Sequence, residues 1–287
     1  MEYKTIFITG ASDGIGKETA KTLARQGHTI IIHGRDERKT KAVYDEIKAE
    51  TGNDKVDMFV ADLLSLAEVK RLASTIKQKY DRLDVLINNA GAQFSDERET
   101  TSDGHEKTIM INVLAPFLLT MLLLDLLKKS PSARVVTVSS SSHAMSGKPD
   151  LDDIELAQNY SMAKVYGISK LYIIWVMRHF VSEMRKLGIN NITFNTVHPG
   201  SAITNLGRES TKSLKWKIIY FLWKPMMISV PKAASSSIYA AVSDELEGVT
   251  GKYWGPKGEE KPSDKYYSTE NEQLVWDYCK KATERYL

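Results

Sequence analysis

The chain has 287 residues, 42% of them hydrophobic and 26% charged, which is ordinary for a soluble globular α/β protein, and its formal net charge of +3 argues against a nucleic-acid partner. A single cysteine, Cys279, leaves no internal disulfide or cysteine cluster, so a reducing, cytoplasmic setting is the default expectation. The histidines at 28, 33, 105, 143, 179 and 198 are scattered without a His-Glu-x-x-His pair, and no Gly-x-Ser-x-Gly elbow occurs, so neither a metal site nor a hydrolase nucleophile is expected.

In chain order, short β-branched runs alternate with longer amphipathic stretches. Strands are predicted at 5–9, 29–33, 56–60, 85–88, 134–139, 193–197 and, briefly, 252–254. Such alternation predicts a Rossmann-type, doubly wound parallel sheet of about seven strands with helices on both faces. No repeat or linker divides the chain, so one domain over 1–287 is expected. Met1 leads into the first strand with no apolar signal region. The longest apolar run, 116–127, is broken by Asp125 and falls short of the roughly 20 residues of a membrane span, which predicts a buried helix. Pro231 suits the first turn of a helix to about 243, and 255–262 reads as a surface loop before a last helix over 270–286.

The run 5–9 opens into Gly10-Ala11-Ser12-Asp13-Gly14-Ile15-Gly16 and then a helix over about 15–26. Glycines there permit a sharp turn that brings backbone amides to a pyrophosphate, and the helix N-terminus adds partial positive charge. The spacing Gly-x-x-x-Gly-x-Gly departs from the usual dinucleotide fingerprint, and a tight turn alone also calls for glycine.

Tyr166 and Lys170 stand four apart, on one face of a predicted helix, where an ammonium would favour the phenolate and pull the phenol below its usual value of about 10. Tyr160 and Lys164 repeat the spacing six residues upstream, on a different face if both pairs share the helix, so at most one pair can be active. The Tyr166 string, Tyr-x-x-Ser-Lys-Leu, lies further inside the helix than Tyr160 and is favoured.

These motifs, together with Asp62-Leu63, Asn88-Asn89-Ala90-Gly91 and Pro199-Gly200, resemble the classical short-chain dehydrogenase/reductase family over residues 5 to about 204. Val-Ser-Ser upstream and Val-His-Pro-Gly downstream of the tyrosine resemble its retinol-dehydrogenase-like branch. The resemblance implies a catalytic set of Asn112, Ser140, Tyr166 and Lys170. It implies cofactor contacts from Gly10, Ser12, Asp13, Gly14, Ile15, Gly16, Asp62, Leu63, Asn89, Ala90, Gly91, Tyr166, Lys170, Pro199 and Gly200. After the second strand the position of an NAD-type acid is Gly34 and the next is Arg35, an NADP-type arginine, so NADP(H) is favoured, with Arg38 as a further contact; the plainer alternative is that Arg35 and Asp36 are a solvated helix start. His143, beside the serines, reads as loop structure rather than a base.

The expected activity is hydride transfer between the nicotinamide and a carbonyl or alcohol carbon of a lipophilic small molecule. Beyond Gly200 the chain is apolar, aromatic and basic, and the resemblance makes 201–230 a substrate lid. The stretch 212–228 equally suits a peripheral membrane contact, a subunit contact or a helix on its own core. The family's pairing helices would be 104–129 and 160–188, giving a homodimer or tetramer. The alternatives are a non-catalytic NAD(P)-binding sensor, against which the complete set of four side chains argues, and a nucleotide-sugar epimerase or dehydratase, against which the glycine spacing argues.

Overall fold

The computed structural model describes residues 3–200 and 228–287; the expected lid and membrane-contact stretch therefore lie outside the described residues up to 227. The strands are β1 (Thr5–Ile8), β2 (Thr29–Gly34), β3 (Val56–Val60), β4 (Val85–Asn88), β5 (Ala133–Val138), β6 (Ile192–Val197), β7 (Tyr253–Gly255) and β8 (Gly258–Glu260). They form one sheet in the order β3-β2-β1-β4-β5-β6-β7-β8, parallel except for the antiparallel β7–β8 edge. The order reverses between β1 and β4, and at such a switch point the carboxyl ends of the strands leave a crevice for a ligand.

Helices α1 (Gly14–Arg25), α2 (Glu37–Thr51), α3 (Leu66–Lys79), α4 (Lys107–Lys128), α5 (Met162–Lys186), α6 (Val230–Val242) and α7 (Thr269–Thr283) cover both faces. Their starts are set by caps: Asp36 accepts from Lys39 N at 2.9 Å, Ser65 from Glu68 N at 3.4 Å and Ser268 from Asn271 N at 3.1 Å. Successive strand residues point to opposite faces, so Phe7 and Leu86 pack with α3, α4, α5 and α7, while Ile6, Ile8, Val85 and Ile87 pack with α1, α2 and α6. Burial on both faces is why the strands read as continuous apolar runs. Helix α4 is long and apolar enough to cross a membrane, yet 78% of its most apolar window is buried inside the fold, as expected of a core helix.

Three expectations are corrected. The sheet has an eighth strand, inside the stretch read as loop 255–262. Gly258–Glu260 pairs with Tyr253–Gly255 across a two-residue turn, and Gly-Glu-Glu carries neither alternation nor β-branched residues by which to see it. Helix α5 begins at Met162, so Tyr160 precedes it and the two tyrosines do not share a helix. Helix α4 begins at Lys107 rather than 104 and contains a π turn over Met110–Leu114. Pro116 lacks the N–H that would bond the Asn112 carbonyl, and Ala115 N instead reaches Met110 O, five residues back.

Candidate active site

The turn after β1 is held from three strands. Gly10 adopts φ +64, and a Cβ on it would lie 2.8 Å from Ala90 Cα, so only glycine lets the β1 and β4 ends close together here. Thr9 Oγ1 accepts from Asn89 N and Ala90 N, each at 3.0 Å, and Asn89 Nδ2 donates to Thr9 O at 2.8 Å and Gly10 O at 3.1 Å. Asn89, Ala90 and Gly91 thus brace the glycine turn from β4. Ser12, Ile15 and Gly16 follow in the turn and first helical residues, and Asp13 caps α1, accepting from Gly14 N at 2.8 Å. Asp62 lies beyond β3 and its side chain accepts from Leu64 N at 3.0 Å; Leu63 beside it is buried.

A residue that the sequence reading passed over completes this brace. His33 is buried at the end of β2; its Nδ1 accepts from Gly10 N at 3.2 Å and its Nε2 donates to Ala61 O at 3.0 Å. An amide N–H can only donate and a carbonyl only accept, so the neutral Nε2–H tautomer is required. Burial accordingly pushes the imidazole down to about 4. The only sequence signal was a polar residue inside an apolar strand, next to the glycines in space alone.

At the mouth of β2 Arg35 is exposed, and its guanidinium has no hydrogen-bond or ion-pair partner among the described residues. The neighbouring Asp36 is turned into α2 as its cap, and the Lys39 N–H holds its carboxyl below the usual range. The two therefore face different tasks, and Asp36 does not neutralise Arg35 by an ion pair.

The second cluster lies at the end of β5. Strand alternation separates the serines: Ser139 Oγ donates to Lys170 O at 2.7 Å, while Ser140 Oγ accepts from Ser142 N and donates to Ser142 Oγ, each at 3.1 Å, and lies by the Tyr166 phenol, whose upward shift it opposes. Lys170 Nζ donates to Val138 O at 3.1 Å and stands 5.8 Å from the Tyr166 ring centre. Asn112, in the π turn of α4, is tied by its side chain to both amide groups of Ala92, at 3.2 and 2.9 Å, and to Ser169 Oγ at 3.1 Å. A Cβ on Gly91 would lie 2.8 Å from Asn112 Oδ1 and 3.0 Å from Lys170 Nζ, so the chain runs between the two side chains there. Asn112, Ser140, Tyr166 and Lys170 are thereby brought into one neighbourhood from α4, the end of β5 and α5.

The electrostatics differ from expectation. Both Tyr166 and Lys170 are buried, and loss of water penalises the charged form of each. The phenol is pushed up to about 12, against the opposing Ser140 hydrogen bond, and the lysine is pushed down to about 7. Lys170 therefore does not pull the phenol below its usual value; burial sets the direction of both shifts. Tyr160 is held elsewhere, 3.4 Å from both Ser95 O and Glu106 Oε1, and Lys164 lines a cleft with Lys148, Asp150 and Tyr266, so the rival pair does not assemble.

His143 lies in a short 3-10 helix, Ser141–Met145, rather than a loop, and its role there is structural: Nδ1 donates to Ser140 O at 2.7 Å and Nε2 accepts from Ser263 N at 3.0 Å, which leaves it no lone pair with which to act as a base. Pro199 and Gly200 follow β6, with Gly200 at φ +72.

The model of the short chain dehydrogenase family matches residues 4–215. The chain belongs to the short-chain dehydrogenase family. It is 38% identical over 280 residues to polyprenol dehydrogenase of Homo sapiens, covering 95% of this chain and 83% of that protein. To retinol dehydrogenase 13 of Homo sapiens it is 37% identical over 282 residues, covering 95% and 82%. Among solved structures, the dehydrogenase resembles an uncharacterized protein from Mycobacterium paratuberculosis at TM-score 0.78 and 29% identity, over 98% of this chain and 93% of that one. A short chain dehydrogenase from Shigella flexneri 2a, complexed with NADP, matches at TM-score 0.68 and 28% identity, over 88% and 97%. As a member of this family the chain is an NAD(P)-dependent dehydrogenase/reductase acting on CH–OH and C=O groups, in the retinol-dehydrogenase-like branch.

Proposed function

We propose that this dehydrogenase works as one catalytic domain that transfers a hydride between NADP(H) and the carbonyl or alcohol carbon of a lipophilic small molecule. The observation that carries the reading is the meeting of Asn112, Ser140, Tyr166 and Lys170 beside a braced glycine turn.

The residues fit a dinucleotide. The Gly10 to Gly16 turn leads into the N-terminus of α1, an anion site by its backbone amides and dipole, and Arg35 offers an exposed guanidinium, unengaged among the described residues, next to it. That arginine supports the 2′-phosphate of NADP(H), as does the NADP complex of the Shigella flexneri relative. When bound, the nicotinamide supplies the hydride and, oxidised, a positive charge that favours the phenolate.

The protein's part is proton handling. A phenol held near 12 keeps its proton at neutral pH, so Tyr166 is poised to donate to a carbonyl oxygen, while the Ser140 hydroxyl hydrogen-bonds the same oxygen as charge develops. Lys170, near 7, passes between its charged and neutral forms at neutral pH and can return the proton to the phenol, with Asn112 positioning the path to solvent. Relatives named for retinol and polyprenol support a lipophilic substrate, and the apolar, basic 201–230 stretch supports a lid that also touches a membrane surface.

The test is a fluorescence titration with NADPH and NADH, then a panel of lipophilic aldehydes and ketones with the tighter cofactor. Tyr166→Phe should lose turnover by about 100-fold or more while still binding NADPH, and Tyr160→Phe should retain it. Turnover surviving in Tyr166→Phe and lost in Tyr160→Phe would reverse the assignment, and a protein that binds neither cofactor would overturn the reading altogether.

A further inference from the structure

We propose that His198 and Glu260 are a positioning pair that fixes the Pro199–Gly200 turn, and that the β7–β8 hairpin serves to deliver the Glu260 carboxylate to it. The inference rests on the cofactor reading, in which Pro199 and Gly200 are among the contacts that the family resemblance implies, at the nicotinamide end of the dinucleotide.

His198 follows β6 directly and is buried, its ring lying flat on that of Tyr253 with centroids 5.2 Å apart and 12° between planes. Its main chain is tied on both sides: N donates to Trp254 O at 2.8 Å, and O accepts from Ser236 Oγ of α6 at 3.1 Å. Its ring is then engaged at both nitrogens. Nε2 lies 2.9 Å from Glu260 Oε2, and Nδ1 accepts from Gly200 N at 3.2 Å. A carboxylate only accepts and an amide N–H only donates, so the neutral Nε2–H tautomer is the one form that satisfies both partners. The carboxylate chooses the tautomer, and the tautomer leaves the lone pair that holds Gly200.

Gly200 needs that hold. It sits at φ +72, in the left-handed region, with Ile228 and Pro256 packed 3.1 and 3.3 Å from where a Cβ would stand.

The hairpin is built around the pair. Glu260 is paired with Tyr253 in the antiparallel register, which sets its carboxylate beside the histidine that stacks on that tyrosine. A Cβ at Gly255 would collide with both the Glu260 carboxylate and His198 Nε2, so the glycine vacates the space where the two meet. With 42% of its side chain exposed, Glu260 makes too wet a hydrogen bond to matter much for stability. What it contributes is orientation, in the manner of the carboxylates that fix the tautomer of a ligating histidine.

The test uses the full-length protein and reads the nicotinamide without need of a substrate. Wild type should raise the fluorescence of NADPH on binding, because its nicotinamide is immobilised. Glu260→Ala and His198→Ala should lose most of that enhancement, while their affinity for 2′,5′-ADP, which reports the adenine end alone, stays within about 2-fold. Glu260→Gln, whose carbonyl still accepts from Nε2–H, should restore the enhancement. If Glu260→Ala keeps the wild-type emission, or if it loses 2′,5′-ADP affinity and thermal stability in step with the emission, the pair is structural and the proposal falls. NADPH bound by wild type with unchanged emission overturns it as well, whereas wild type that binds no NADPH would instead sink the cofactor reading beneath it.

Discussion

Tyr166 and Lys170 are perturbed in opposite directions by one cause, and Arg35 and His33 show the same economy at the cofactor end: each is defined by what surrounds it. Arg35 is exposed while its acidic neighbour is committed to a helix cap, so its charge is available to a phosphate. Arg35→Ala should weaken NADPH binding by about 10- to 100-fold, the worth of a charged hydrogen bond, and leave NADH nearly unchanged. Isothermal titration with both cofactors checks this; equal losses would mean that the side chain holds no 2′-phosphate. His33 carries a pH prediction. Its folded value, about 4, lies below the ordinary 6.5, so the unfolded chain binds the extra proton first as pH falls. Stability from this group is complete above about 6.5 and declines toward pH 4 by about 3 kcal/mol. Denaturation midpoints measured across that range should fall in the wild type and fall less in His33→Gln.

At the scale of elements, the π turn in α4 is a local irregularity with a visible sequence cause. Pro116 removes the donor for the Asn112 carbonyl, the helix widens by one residue, and Asn112 is carried to Ala92 and Ser169. Pro116→Ala allows the regular bond to form. The expected outcome is a thermal midpoint equal to or above wild type with turnover reduced, as Asn112 rotates out of register. A variant with unchanged turnover would show that Asn112 is held by its side-chain partners alone. The hairpin β7–β8 is the reverse case, an element with no propensity of its own, held by the edge of β6 and by Glu260 reaching His198.

Across the whole molecule, the last helix closes one face of the sheet. Trp276 of α7 packs edge-on against Phe117 of α4 at 5.1 Å and Phe180 of α5 at 4.8 Å, and stacks on His179 at 4.4 Å. These are the two helices that the resemblance assigns to subunit pairing, so a dimer through them has to use the surface that α7 leaves open. Trp276→Ala opens a large cavity at this junction and should cost about 3–5 kcal/mol, read from chemical denaturation. A loss below about 1 kcal/mol would show that α7 is docked only loosely.

The sequence by itself determined the parallel sheet and the glycine turn, because periodicity and turn chemistry are local properties that survive in one dimension. It also held the signal of the π turn in Pro116, though only the structure shows what the proline does. The eighth strand, the brace of His33 on Gly10, the separation of Tyr160 from α5 and the upward shift of the Tyr166 phenol were decided by tertiary structure alone. Each depends on burial or on a partner distant in sequence: Ala61 for His33, Glu106 for Tyr160, and the dry interior shared by Tyr166 and Lys170. Desolvation acts on a group according to what encloses it, and enclosure does not exist until the chain has folded.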